Sequence, residues 1–219
     1  MTSLKIPEVI PIFPLPETVL LPSEVLPLHI FEPRYRQMVR DALHGPRIIG
    51  MTLLHPGYEK DYEGAPGVNP VGCTGVIAQH QELPDGRFLI VLVGAQKFEI
   101  REELPTPTLY RQVRVQHLPD HTTAEERAGV QSLRMELITN LPVVLQQMQG
   151  AEVAPAELAK LDDSQLIAVA TKILQLSTEE KQRILESEKL ADRYVLLHES
   201  MGLLGVMMQS AKKDPTEVN

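Results

Sequence analysis

The sequence LPLHIFEPRYR at residues 26–36 joins a short apolar strand to a helix. The apolar run 26–30 predicts the strand. Pro33 suits the first helical position, where its missing N–H costs nothing, and the helix is predicted over 32–43. Its apolar residues recur on one face and are expected to pack onto a sheet: Tyr35, Met38, Val39 and Ala42. The fold therefore inserts one helix among strands.

Short strands separated by turns dominate the rest of the first 119 residues. Prolines interrupt the apolar segment 9–16, and because proline lacks a ladder N–H we predict an edge strand there. The continuously apolar run 88–93 is expected to be buried on both faces. Further strands are predicted at 48–54, at 71–80 with a glycine bulge, and at 112–116 with one wet face. Six or so strands with one inserted helix predict a closed or nearly closed barrel.

Composition changes near Asp120 to the Glu, Gln, Leu, Lys, Ala and Met that are typical of helices. Pro142 is expected to kink or stop the first of these helices. The apolar seam of the last helix is interpreted as bundle packing, with pairing to a second chain as the open alternative. Two capping boxes predict helix starts: Thr123 with Glu126, and Ser177 with Glu180.

The predicted fold class is α+β. A β pseudo-barrel with one inserted helix is predicted over 8–119, with the Gly- and Pro-rich loop 55–70 as a surface insertion. An all-α helical bundle is predicted over 120–211, and a disordered tail over 212–219.

The formal net charge of −8 gives polyanions no electrostatic driving force for binding. The single Cys73 cannot form an internal disulfide, which fits a reducing compartment. No stretch reaches the roughly 20 apolar residues that cross a bilayer, and the first residues lack the apolar core of a signal peptide. We expect a soluble, cytoplasmic protein that binds neither nucleic acid nor membranes.

Candidate catalytic and metal-binding residues are few. His117 and His121 approach ligand spacing but straddle Pro119, and ordinary surface histidines are favoured over a metal site. Cys73 lies in an apolar, glycine-flanked strand, where a buried structural thiol is favoured over a nucleophile. The sequence therefore predicts no catalytic, cofactor-binding or metal-binding residues.

A longer pattern runs through several ordered segments: 10–15 with 20–22, then 26–36, then 71–77, then 88–100 with Gly94 and Phe98. Together these segments resemble the Lon N-terminal, substrate-binding domain family. The run from Leu28 to Arg36 is especially similar to stand-alone members of that family. The helical second half resembles the bundle that follows the barrel in bacterial Lon, so the resemblance spans roughly residues 8–208.

The resemblance implies a PUA-like pseudo-barrel followed by a helical bundle, and a role in recognising polypeptides. The phosphate-cradling pattern G-x-x-x-x-G-K-[ST] is absent from the sequence. The Ser-Lys protease dyad of Lon would lie in a further domain beyond the ATPase. The chain is therefore expected to be no enzyme: it neither hydrolyses ATP nor cleaves peptides by that mechanism.

The densest polar group within the apolar signature follows the predicted strand 26–30. In one interpretation these side chains line a groove; in the favoured alternative, Arg34 pairs with Glu32 and Tyr35 packs inward. The adaptable side chains of Met207 and Met208 suit the binding of varied apolar segments. The candidate peptide-binding residues are His29, Phe31, Glu32, Arg34, Tyr35, Met207 and Met208.

The predicted function is non-catalytic binding of exposed apolar segments of unfolded or partner polypeptides. The site would be an apolar surface on the barrel or the cleft between barrel and bundle. A separate ATP-dependent protease is a further candidate partner, and the oligomeric state stays open. Two alternatives remain: an RNA-binding PUA-like domain, which needs a basic, aromatic-lined face, and a small hydrolase, which needs a deep polar pocket.

Overall fold

The computed structural model describes the backbone of residues 6–61, 64–120 and 122–213, and the side chains of these residues except at 61 and 207–213. The chain divides into two compact units, with the boundary between Pro119 and Asp120. The first unit is built on a sheet and the second on helices. Residues 214–219 of the predicted tail lie outside the described residues.

The first unit contains six strands and one α-helix. In chain order they are β1 (Val9–Leu15), β2 (Val25–Ile30), α1 (Pro33–Leu43), β3 (Ile48–Leu53), β4 (Val71–Glu82), β5 (Phe88–Leu104) and β6 (Gln112–Leu118), with a short 3-10 helix at Tyr58–Asp61. The sheet order is β2-β5-β4-β3-β1-β6, and β5 also pairs with β6. That last pairing closes the ring, which confirms the predicted barrel with one inserted helix.

The prediction that the first strand is an edge strand is wrong. Residues 9–11 of β1 pair with β6 and residues 12–15 pair with β3, so the strand lies inside the sheet. The prolines are tolerated because the strand changes partners. Each proline is paired on one side only: Pro11 lies opposite Gln112 of β6, and Pro14 lies opposite Thr52 of β3.

Strand β5 is long because it serves three neighbours. Residues 88–93 of β5 pair with β2, residues 88–99 pair with β4, and residues 97–104 pair with β6. The register shifts between Thr74 and Gly75, as the glycines of β4 predict. At Gly94 a Cβ atom would lie 2.0 Å from the carbonyl oxygen of Leu21, so only glycine allows this backbone crossing.

Apolar side chains from four strands fill the interior of the first unit. The core cluster consists of Ile10, Ile12, Ile48, Phe98, Val113 and Val115. The predicted face of α1 is buried as well, through Tyr35, Met38, Val39 and Ala42. Pro33 occupies the first turn of α1, where it was predicted.

The second unit contains five helices: α2 (Ala124–Gln149), α3 (Pro155–Ala159), α4 (Asp163–Ile173), α5 (Thr178–Glu186) and α6 (Leu190–Lys213). Both predicted capping boxes are present, at Thr123 and at Ser177. Pro142 does not stop α2, which continues to Gln149. The α+β class with a helical second half is confirmed. None of the helices in the described ranges combines the length and apolarity that a membrane crossing demands.

A polar cluster around the buried Tyr194 joins three helices of this unit. The hydroxyl of Tyr194, whose side chain is buried, donates to Asp163 Oδ1 at 2.5 Å. Arg134 donates to the same carboxylate oxygen at 3.0 Å and to the carbonyl oxygen of Leu161. The buried hydroxyl of Tyr194 thus has a partner, as burial of a polar group demands.

Candidate functional site

One face of the strands β2, β5 and β4 is open to solvent and is apolar along β5. Antiparallel registration places His29 beside Leu89 and Leu89 beside Gln81. These three residues form one row across the strands. Two residues further along β5, a second row aligns Pro27, Val91 and Gln79. Because side chains alternate along a strand, these two rows share a face. Leu89 is 42% exposed, so this face is open to solvent.

A shallow groove of about 520 Å³ crosses these three strands. Both of its histidines, His29 and His80, are exposed, and its lining contains no lysine or arginine. Its lining residues are Pro27, Leu28, His29, Gln79, His80, Gln81, Leu89, Ile90 and Val91. We refer to this set as the β2-β5-β4 groove.

The groove corrects the expectation that both faces of 88–93 are buried. Phe88, Ile90 and Leu92 point into the barrel and are at most 2% exposed. Leu89 is exposed, and Val91 and Val93 are only partly buried. The apolar run therefore has one face in the core and one open face. Sheet faces that only contact water are usually polar. An apolar face that is open to solvent is therefore typical of a binding surface.

Two of the predicted peptide-binding residues lie at this surface. His29 lines the groove, and Phe31 follows directly after β2 with 59% of its side chain exposed. Their ring centroids are 6.0 Å apart, in a tilted arrangement. Phe31 thus adds apolar surface at the end of β2.

Three other predicted peptide-binding residues, Glu32, Arg34 and Tyr35, contact one another or the core. Arg34 pairs with Glu32 at 2.9 Å, and its guanidinium lies 4.7 Å from the ring centroid of Tyr35. Tyr35 is 5% exposed and packs against Phe13, with 4.3 Å between ring centroids. The ring of Tyr35 therefore belongs to the core and is not accessible to a ligand. The side chains of Met207 and Met208 lie outside the described residues.

Cys73 and His117, the candidate catalytic and metal-binding residues, lie in surroundings that do not suit those roles. Cys73 is fully buried, and this burial raises the pKa of its thiol far above the usual range. A thiol in that state is inert as a nucleophile. His117 Nε2 lies 3.2 Å from the carbonyl oxygen of Pro7, while His121 lies outside the described residues. Across the part of the chain that the structure describes, no three His, Cys, Asp or Glu side chains are grouped to hold a metal ion.

Sequence reasoning missed most of the groove. Leu89, Val91 and Gln79 were assigned to strands but not to a site, and Gln81 lies one residue beyond the predicted strand 71–80. The available signal was the alternation in β2, where Val25, Pro27 and His29 are exposed while Ile30 is buried. A strand whose outward residues include valine and proline indicates an apolar outer face.

A closed β pseudo-barrel with one inserted helix, followed by a separate helical unit, defines the architectural class. The chain belongs to the family of the ATP-dependent protease La (LON) substrate-binding domain, whose family model matches residues 9–202. The Lon protease of Desulfosudis oleivorans is 25% identical over 190 residues, which cover 85% of this chain and 23% of that protein. Lon protease 2 of Myxococcus xanthus is 27% identical over 203 residues, covering 89% and 23% respectively.

The chain thus spans about a quarter of the length of these curated relatives. Two solved structures share its fold. The N-terminal domain of the Mycobacterium avium complex Lon protease superposes with a TM-score of 0.71 at 18% identity, covering 89% of this chain and 98% of that one. A Lon N-terminal domain protein from Xanthomonas campestris gives a TM-score of 0.58 at 20% identity, covering 87% and 97%.

Proposed function

We propose that the chain is a non-catalytic recognition module whose β2-β5-β4 groove, extended by Phe31, binds apolar segments of unfolded or partner polypeptides. The observation that carries this proposal is the open apolar face of β5, on which Leu89 is 42% exposed. Membership of a family named for substrate binding supports the same role. A separate ATP-dependent protease in the cytoplasm is the proposed further partner, since the matched relatives are Lon proteases.

The shape and chemistry of the groove support polypeptides over the alternatives. The groove is shallow and open, whereas small-molecule enzymes hold their substrates in deep clefts with convergent polar groups. It contains no lysine or arginine, so it lacks the phosphate contacts on which RNA affinity depends. Burial of an exposed leucine contributes roughly 1.5–3 kcal/mol, from which the entropic cost of association is subtracted.

Fluorescence anisotropy with a labelled, permanently unfolded protein tests the proposal. We expect micromolar binding by the wild type and about tenfold weaker binding by the double variant Leu89→Thr/Val91→Thr, because two apolar contacts are lost while strand propensity is kept. Leu109→Thr is the matched control. Leu109 is 65% exposed in the same unit but lies outside the groove. Equal losses in both variants, or no binding by the wild type, would refute the proposal.

A further inference from the structure

Strand β2 forms an open edge of the sheet. It pairs with β5 through residues 25–30, and in the described ranges no strand pairs with its other side. The ring of β5, β4, β3, β1 and β6 closes without it. Across the described residues, positions 26–30 make no backbone–backbone hydrogen bond besides those of the ladder with β5. Such an edge presents N–H and C=O groups with which a further chain can pair.

The direction of the backbone groups in β5 shows which groups of β2 face this edge. Gly94 donates its N–H to the carbonyl oxygen of Glu24 and accepts from the N–H of Ser23, each at 2.8 Å. Because backbone direction alternates along an antiparallel strand, the even-numbered residues of β5 bond to β2. Pro27 and His29 pair with odd-numbered residues of β5, so their own backbone groups point away from it. Pro27 fits this assignment, since its missing N–H costs no bond to β5.

The edge has little of the protection that exposed edges usually carry. Residues 25–30 include no lysine, arginine, aspartate or glutamate, the charged side chains that commonly block the addition of a further strand. Their outward side chains are apolar or aromatic: Val25, Pro27 and His29 are exposed. Pro27 is the single protective residue in the strand.

Pro27 acts against a second copy of this chain more than against a foreign segment. When two β2 strands pair symmetrically over their length, Pro27 of one copy lies opposite Pro27 or His29 of the other. Each copy then fails to supply one donor of the shared ladder. A foreign segment without proline meets only the one missing N–H, so it forms the more complete ladder.

We propose that an extended segment of the recognised polypeptide adds to the sheet as a strand beside β2, an inference that rests on the proposed function. The N–H and C=O of His29 and the C=O of Pro27 pair with the backbone of that segment. Groups on one edge of a strand recur every second residue, roughly 6.8 Å apart, and an extended polypeptide matches this spacing. Main-chain bonds of this kind supply affinity for many different sequences.

The edge is continuous with the β2-β5-β4 groove. The side chains of Pro27 and His29 line the groove, while the backbone groups of the same two residues face the edge. In an added strand every second side chain lies on the groove side of the sheet. The preferred segments are therefore extended, apolar at every second residue, and free of proline where an N–H must face β2.

A labelled peptide that alternates leucine with threonine provides the first test. Single N-methyl groups are placed in turn on its backbone nitrogens, which removes one donor each time and leaves the side chains unchanged. We expect about tenfold weaker binding at every second position, as loss of a main-chain bond allows. The sensitive set is the leucines for an antiparallel segment and the threonines for a parallel one. Uniform affinity across the series overturns the inference but leaves the proposed function intact, whereas no binding of the unmodified peptide refutes both.

Two variants at one position test the protein side of the ladder. His29→Pro removes the N–H that faces the edge, and His29→Thr removes the same imidazole but keeps that N–H. We expect about tenfold weaker binding of the unmodified peptide by His29→Pro and a change within about twofold for His29→Thr, because threonine keeps strand propensity. Equal affinities of the two variants overturn the inference. The N-methyl series needs no variant, so it decides the question even if His29→Pro fails to fold.

Amide hydrogen exchange followed by NMR locates the bond itself. In the free protein the N–H of His29 should exchange faster than that of Leu28, which faces β5. Saturation with the unmodified peptide should slow exchange at His29 by about tenfold or more and leave Leu28 little changed. Slow exchange at His29 without peptide would mean that the edge is already covered. Protection that rises with protein concentration alone would assign the edge to a second copy, and either result overturns the inference.

Discussion

His29 and Leu89 are directly paired across the antiparallel ladder of β2 and β5, and both side chains are exposed on the outer face of the barrel. Their neighbours along each strand, Ile30 and Phe88, are buried at 1% exposure each. The same two strands thus build the core with one set of residues and the groove with the other. Because the inner set fixes the strands, the groove is preorganised on a rigid element.

The crossing at Gly94 predicts a strong effect of a single methyl group. Gly94→Ala places a Cβ atom 2.0 Å from the carbonyl oxygen of Leu21, a backbone atom that cannot move aside without shifting the segment between β1 and β2. We expect the free energy of unfolding to fall by about 3 kcal/mol, as in severe overpacking. Urea unfolding measures this loss. Gly45→Ala is the control, since its nearest atoms would be 3.7 Å away, and it should be nearly neutral.

The hydrogen bond between Tyr110 and Asp41 predicts a loss of stability at alkaline pH. Burial, together with this 2.9 Å bond, raises the pKa of Tyr110 to about 12 from its usual 10.0. A folded-state pKa above the unfolded one contributes stability that is complete below pH 10 and is lost as the pH rises towards 12. The stability advantage of the wild type over Tyr110→Phe should therefore shrink across that range. A constant difference in the free energy of unfolding between pH 8 and pH 11.5 would contradict the assignment.

In the second unit, the bond between Tyr194 and Asp163 predicts energetic coupling. Tyr194→Phe leaves the carboxylate with Arg134 as its remaining partner in the cluster and should lower the free energy of unfolding by about 1–2 kcal/mol. A double-mutant cycle with Asp163→Asn measures the coupling, which should exceed 0.5 kcal/mol in the range found for contacting residues. Additive effects would show that the hydroxyl and the carboxylate do not interact.

Local rules predicted the features that depend on short stretches of sequence. The helix that begins at Pro33 and the capping boxes at Thr123 and Ser177 follow from residues within one or two turns. Such local rules carry no information about which strands pair with each other. The edge assignment of β1 was wrong because its two partners, β3 and β6, come from distant parts of the chain.

The candidate site was predicted only in part for the same reason. His29 and Phe31 could be singled out because they belong to a recognisable polar and aromatic group. Burial of the odd-numbered residues of β5 was expected, since an apolar run carries no information about which of its faces is covered.

Backbone amide NMR with an unlabelled apolar peptide tests the central claim most directly. Binding in the β2-β5-β4 groove predicts saturable shift changes that cluster at residues 27–31, 79–81 and 89–91, and that vanish in Leu89→Thr/Val91→Thr. Shift changes confined to the helices of the second unit, or spread evenly over the barrel, would contradict recognition at this groove.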